Sequence, residues 1–508
     1  MTSLKKCAFF SYVTALTFTT QALYAQETDI NRVEFEALIK RVNALEVENA
    51  KLKTANAKDS AQESGLGTET YSENLVGRNS EYSFNMLDHA VRTNTKQKYQ
   101  LNALRDGMLD SKLTLGGQIT AIGNYQNANE NSKFGWLMRH PTSSNQIGEN
   151  SSEAVIHAVN INMTARLTND LTGYVELLYN PEQNFASGST ITGLPRNNVN
   201  LSRAYILWGN LNKSPVYASL GKMDIPFGWN DTVSPFTNST NWHSFAGLAY
   251  GGLVGYAADN IHLRAMAVQG GAQFRNANTP VSGTNVPSKL NNFALDANYT
   301  TVLNHDVTLN IGASYQYGSS YCQEYVNTPE TAHTTPKLIQ GVTRNQSPQG
   351  VQHFNPCKEN NDAAAVYVVY KDAKKMLVAE FAETLNVWPG THNPYIPQFE
   401  AVKNKTFTLG GRYSADVGLS KPVDFSTEFS RYRAGASSSP WEKQDQLVFG
   451  TSYFLTPSVD IFAETIFVKG WVPLNFLSGG NPGSLVGSSW SSQSSKNQIL
   501  VIGIQAGI

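Results

Sequence analysis

The chain has 508 residues, 41% of them apolar and only 16% charged, with a net charge of −1. A charge so close to zero offers no surface for a polyanion, which excludes nucleic acid as an expected partner. The 39 glycines, 23 tyrosines and 23 phenylalanines suit a β-rich protein with aromatic girdles better than a helical enzyme.

Residues 1–25 read as a secretory signal peptide. Lys5 and Lys6 form a charged start, Cys7 to Ala22 an apolar run, and Leu23-Tyr24-Ala25 a cleavage site before Gln26. A membrane anchor is the competing reading, but the run is short of the roughly 20 residues that a spanning helix needs. No other stretch is apolar enough for a membrane helix. An exported chain without a helical span is therefore expected.

Within residues 26–53, Ile30 to Lys53 carries a heptad pattern. Phe35, Val42 and Asn49 take position a, and Leu38, Leu45 and Leu52 take position d. In a parallel assembly the pairs Arg41 with Glu46 and Glu48 with Lys53 have opposite signs. The polar Asn49 at an a position is a register device. This predicts a short periplasmic coiled coil, about 36 Å long at 1.5 Å per residue, that joins the chain into a homo-oligomer, hypothetically a trimer. One amphipathic helix docked on its own protein is the alternative. Residues 54–110 follow as a linker and pre-barrel segment. The stretch 54–80 is rich in Ser, Thr, Ala, Asn, Gly and Glu, as a flexible linker is. The stretch 81–110 has a second reading, as part of the domain that follows.

From residue 111 to the end, short segments alternate apolar and polar residues. Val159, Ile161, Met163 and Ala165 share one face of a strand, and Asn160, Asn162, Thr164 and Arg166 the other. About 16 such segments begin near residues 112, 154, 171, 199, 216, 250, 261, 292, 307, 363, 375, 405, 422, 445, 459 and 497. The gaps between them alternate short and long. Thr168-Asn169-Asp170 and Thr456-Pro457-Ser458 are short, whereas 126–153, 318–362 and 470–496 are long. That rhythm fits an up-and-down barrel with turns on the periplasmic side and loops outside. A closed barrel is also how strands cross a bilayer without leaving backbone groups unpaired. The predicted fold is all-β, an antiparallel transmembrane β-barrel of about 16 strands with a short N-terminal α-helical coiled coil. It would sit in the bacterial outer membrane, in contact with its lipid, with a periplasmic N-terminus. A secreted β-sandwich or β-helix explains the alternation but not the rhythm of the connections. The end, Gly503-Ile504-Gln505-Ala506-Gly507-Ile508, resembles an outer-membrane assembly signal but lacks the usual aromatic final residue.

By parity Arg166, Arg203, Arg264, Arg412, Glu176, Asp296, Glu428, Asp460 and Glu464 face the lumen. They are candidate pore-lining or solute-binding residues, because lumen side chains tune selectivity. Mutual pairing inside a hydrated lumen is the plainer reading. The hairpin Val199 to Gly228 ends in Ile225-Pro226-Phe227-Gly228, where proline stops the sheet ladder. It launches the third long loop, with Phe227, Trp229, Phe236, Trp242 and His243. This loop is expected to fold into the lumen as a constriction, with an ordinary extracellular cap as the alternative.

Cys7 leaves with the signal, so Cys322 and Cys357 remain as an expected disulfide in an oxidising compartment. It would close a loop of about 36 residues, contributing about 3.8 kcal/mol in the chain-entropy account. No catalytic motif, metal signature or phosphate loop is present, and His262 and His305 are isolated. No enzyme, cofactor or metal site is expected.

The runs AYILWGNLNKSPVYASLGKMDIPFG (204–228) and GMLDSKLTLGGQI (107–119) resemble the siderophore-porin family of outer-membrane barrels, the legiobactin-receptor type. The resemblance spans signal peptide, coiled coil, linker and barrel. It implies uptake of ferric siderophore or iron without a TonB-type plug. About 80 residues between signal and barrel, mostly polar linker, are too few for such a plug domain. A general trimeric diffusion porin preferring small anions or carboxylates is the alternative.

Overall fold

The computed structural model describes residues 75–130, 149–179, 199–269, 273–274, 290–304, 306–319, 321, 361–388, 398–433, 435–439, 442–470 and 493–508. The expected signal peptide, the expected coiled coil, most of the expected linker, His305, Cys322 and Cys357 lie outside these residues.

One sheet of eighteen strands contains two pieces of only two residues, Val76–Gly77 and Gln273–Phe274. The other sixteen close into an antiparallel barrel. They are β1 (Leu113–Ala128), β2 (Asn150–Arg166), β3 (Leu171–Tyr179), β4 (Val199–Gly209), β5 (Val216–Asp224), β6 (Gly247–Ala257), β7 (Ile261–Gln269) and β8 (Leu290–Asn304). Then follow β9 (Val307–Tyr317), β10 (Ala363–Lys371), β11 (Lys375–Thr384), β12 (Lys405–Ala415), β13 (Val423–Arg433), β14 (Lys443–Thr456), β15 (Val459–Gly470) and β16 (Lys496–Gly507). Each strand pairs with its neighbours in sequence, and β16 returns to β1 through Asn497↔Ala128 down to Gly507↔Gln118. Ile508 adds a reciprocal pair of backbone bonds with Gly117. Closure leaves no unpaired edge.

Alternation decides which face is which. Ile161, Ile206, Trp208, Leu220, Val254, Leu295, Leu409, Phe449 and Ile502 stand exposed on the outside. Asn162, Thr164, Ser219, Thr408, Ser430 and Gln446 are buried on the inside. A water-soluble protein has the opposite arrangement. A belt of exposed Leu, Ile, Val and Phe running from strand to strand is instead the surface that hydrocarbon wets. Among the described residues, no helix is long and apolar enough to cross a membrane.

Residues of the pre-barrel segment lie inside the barrel. Helix α1 (Ser80–Leu87) starts at Asn79, whose side chain accepts from the Tyr82 amide. It buries Tyr82, Phe84, Met86 and Leu87. Tyr82 shares a 2.9 Å hydroxyl bond with Thr164 on the inner face of β2. Helix α2 (Lys96–Arg105) buries Gln100, Leu101 and Ala103. Gln100 donates to Thr172 of β3 at 2.8 Å and accepts from Tyr205 of β4 at 3.0 Å. Those wall residues sit near the short-turn ends of their strands, so the two helices fill that end of the lumen. The turns there are tight. Asp170 accepts from Asn210 and Lys213, and these bonds hold its carboxyl below the ordinary range.

Candidate functional site: the loop inside the lumen

The chain between β5 and β6, residues 225–246, folds into the barrel. Pro226 cannot continue the sheet ladder, and the loop that follows must satisfy its backbone groups on whatever wall it meets. It meets a series of carboxylates on alternate strands. The Trp229 amide donates to Glu380 Oε1 of β11 at 2.7 Å, and Asn230 to Oε2 at 3.1 Å. The Thr232 hydroxyl and the Val233 amide donate to Glu428 Oε2 of β13 at 2.7 and 3.0 Å. Phe236 and Thr237 donate to Glu464 Oε1 of β15 at 2.8 and 3.0 Å. Each bond satisfies a loop donor that would otherwise be buried without a partner. Hydroxyls continue the series, with Gly228 donating to Ser314 of β9 at 2.9 Å and Thr240 to Ser430 of β13 at 3.0 Å.

Between the carboxylate strands the wall is made of glycine. Gly410 of β12 is the register partner of Glu428, and Gly450 of β14 that of Glu464. A Cβ at Gly410 would crowd Val233, and one at Gly450 would crowd Pro235. The loop is thus held by Glu on one strand and admitted by Gly on the next. Its last part forms helix α3 (Thr240–Phe245), capped by Ser239 accepting from the Trp242 amide at 3.1 Å.

The pre-barrel segment clips the loop from the short-turn side. Asp231 accepts from the Arg92 amide, the Thr93 amide and the Thr93 hydroxyl, each at 2.8 Å. The Thr232 amide donates to the Ala90 carbonyl at 2.9 Å. Asn94 donates to the carbonyls of Phe227 and Gly228 at 3.2 and 2.6 Å. Arg264 of β7 in turn donates to the Asn94 carbonyl.

All the lumen-facing charges expected from parity do point inward, and among the described residues the structure places all but Asp460 beside a partner. Arg203 is buried and bonds Asp224 through Nε at 2.6 Å and Nη2 at 3.0 Å, and Glu176 through Nη1 at 2.6 Å. Arg264 pairs with Asp296 at 2.7 Å, and Asp296 also accepts from Ser314 and Tyr367. Glu428 and Glu464 hold the loop. Arg166 donates to the Leu109 carbonyl at 3.0 Å, and Arg412 lies 3.6 Å from the Met376 sulfur. Asp460 lies on the inner face near the start of β15. His262, isolated in the sequence, hydrogen-bonds the Tyr217 hydroxyl at 2.8 Å.

Of the five loop aromatics expected at the constriction, three are packed as core. Phe227 stacks on Phe245 at 5.9 Å, Phe236 stacks on Phe462 of β15 at 5.2 Å, and Trp242 is buried. Trp229 and His243 are half-buried and are the two that keep surface in the lumen. Sequence reasoning did not single out Glu380, Asp231, Asp224 or Asn94. Glu380 carried a usable signal, an acidic residue on the inward parity of an otherwise apolar strand, Met376-Leu377-Val378-Ala379-Glu380-Phe381. Asp231 and Asn94 carried none, because loop contacts have no period. Among the described residues, no group of three metal-ligating side chains converges.

No protein-family model and no curated protein matches the chain. Solved structures similar to it include the anion-selective porin from Comamonas acidovorans, at 11% identity and TM-score 0.43, covering 78% of this chain and 99% of that one. OprB from Pseudomonas putida is 8% identical at TM-score 0.46, covering 80% and 97%. The outer-membrane channel DcaP of Acinetobacter baumannii is 12% identical at TM-score 0.44, covering 78% and 97%. The barrel assignment itself rests on the strand pairing.

Proposed function

We propose that the protein is an outer-membrane diffusion channel, a porin, whose lumen is narrowed by residues 225–246. The observation that carries this reading is the loop held inside a closed barrel by Glu380, Glu428 and Glu464, beneath an apolar outer belt. A barrel of this strand number encloses an aqueous lumen, and a loop pinned across it sets the cross-section left for solute. Trp229 and His243 are the loop side chains placed to meet that solute. No catalytic role is proposed. Planar-bilayer recording tests the reading. Ohmic single channels that widen on deletion of 232–244 support it, and unchanged conductance refutes the constriction.

The resemblance adds a solute, ferric siderophore or iron, and a trimer built through residues 26–53. We carry both as part of the proposal. A ferric siderophore is bulky, so this reading requires residues 80–109 to give up space in the lumen. The alternative, a channel preferring small anions or carboxylates, needs lumen cations free to attract them. Arg203 and Arg264 are instead neutralised by buried carboxylates, which weighs against an anion ladder at those positions. Uptake of radiolabelled ferric siderophore in deletion and complemented cells separates the two, since equal uptake would leave only the general channel. Cross-linking in native detergent extracts checks the trimer.

A further inference from the structure

The described cations at the long-loop ends of the strands, half-buried or exposed, gather on one side of the barrel. Lys405 of β12, Arg433 of β13 and Lys443 of β14 are successive register partners. One row away, Arg431 of β13 pairs with Asp445 of β14, Asp445 with Lys469 of β15, and Lys469 with Lys496 of β16. All six cations alternate with buried inner-face residues, so they point away from the lumen. They cap the apolar belt of the same strands, formed by Phe407, Leu409, Phe449, Phe467 and Leu500.

Three carboxylates offset part of this charge. Glu383 lies 3.3 Å from Lys405, Glu442 lies 3.8 Å from Lys443, and Asp445 binds Arg431 at 2.5 and 3.0 Å. Among the described residues, Arg433, Lys469 and Lys496 have no ion-pair partner. With Glu130 lying beside Lys496 through the Asn129 and Ser494 contacts, six cations against four carboxylates among the described residues leave two positive charges on five adjacent strands. At the same rim, the described residues of β1 to β11 expose no lysine or arginine.

We infer that the outer rim of β12 to β16 is a docking surface for the phosphate-bearing headgroup of an anionic lipid. The height fits, because the cations sit where the exposed apolar belt ends, and acyl chains would lie along that belt. The chemistry fits, because arginine and lysine bind phosphate oxygens with charge-assisted bonds. The arrangement also fits, because strands about 4.8 Å apart bring several cations within reach of one headgroup. The inference rests on the membrane reading of the barrel.

The test uses the full folded chain in phosphatidylcholine vesicles doped with phosphatidic acid. Native mass spectrometry then counts the lipid retained after detergent extraction. The wild type should retain phosphatidic acid over phosphatidylcholine. Each neutralised cation should weaken retention about fivefold, so Arg433→Gln with Lys443→Gln should weaken it about thirtyfold. The charge-conserving Arg433→Lys with Lys443→Arg should keep it. Lys371→Gln with Lys375→Gln removes the same charge at the short-turn end and should have no effect. Equal loss in this last variant would show a net-charge effect and overturn the site. Displacement of the lipid by equimolar inorganic phosphate would reduce it to a free-anion site and overturn it too. So would a change in oligomeric state of the Arg433/Lys443 variant with lipid retention unchanged, which would assign the rim to a second copy. Failure of the wild type to insert into pure phosphatidylcholine vesicles would overturn the membrane reading, and this surface with it.

Discussion

Replacing Glu464 tests how the loop is held. Its Oε1 accepts from the amides of both Phe236 and Thr237. Glu464→Ala leaves two buried N–H groups without a partner, at about 1–3 kcal/mol each. Docking of the loop's central part should therefore weaken by about 2–6 kcal/mol. Even the lower figure raises the undocked population about thirtyfold. Glu464→Gln is the informative control, because its carbonyl oxygen can occupy the position of Oε1 and accept both bonds. It should lose at most the about 1 kcal/mol by which an ionised acceptor exceeds a neutral one. Hydrogen exchange on the peptide covering 229–246 reads the effect at Phe236 and Thr237, and single-channel recording reads it as added current noise. Equal protection in wild type and Glu464→Ala would refute the view that wall carboxylates hold the loop. Equal loss in the Ala and Gln variants would show that charge, not acceptor geometry, holds it.

Four further outcomes are expected. Gly450→Val should push Pro235 off the wall, because its added carbons overlap the proline ring, and so change conductance without preventing barrel closure, judged by heat-modifiable gel mobility. Arg264→Gln strands the buried Asp296 carboxylate and should cost about 3–5 kcal/mol in denaturant titration, whereas Arg264→Met with Asp296→Leu should recover part of that loss. Asp231→Ala removes three hydrogen bonds to residues 92 and 93 and should expose residues 88–95 to limited proteolysis from the short-turn side; an unchanged digestion pattern would sink the proposed clip. Cys322 and Cys357 should resist maleimide labelling in the exported protein until it is reduced.

The barrel was legible because its signals are local and periodic. Strand starts read from alternation at 171, 199, 216, 261, 307, 363, 375, 405 and 459 coincide with the observed ones. The others differ by a few residues, as at 247 against 250 and 443 against 445, where ladder pairing runs on past the alternating stretch. Parity also oriented Arg203, Arg264, Glu428 and Glu464 correctly, since one face of a strand fixes the other.

What parity cannot give is the partner. Glu176, Arg203 and Asp224 sit on three successive strands, and only their register brings the carboxylates to the guanidinium. Glu428 and Glu464 read as pore-lining acids, yet their oxygens are taken by amides of a loop about 200 residues away in sequence. Residues 81–110 carried two readings, a pre-barrel segment or part of the domain that follows, and no period chose between them. Their helices form because the lumen wall offers Thr164, Thr172 and Tyr205 as partners for Tyr82 and Gln100. The sequence by itself determined the number, direction and faces of the strands, because a closed sheet in a bilayer demands strict alternation. Only the tertiary structure decided what fills the barrel, because buried backbone and charge must be satisfied by whichever groups closure brings near, however distant they are in the chain.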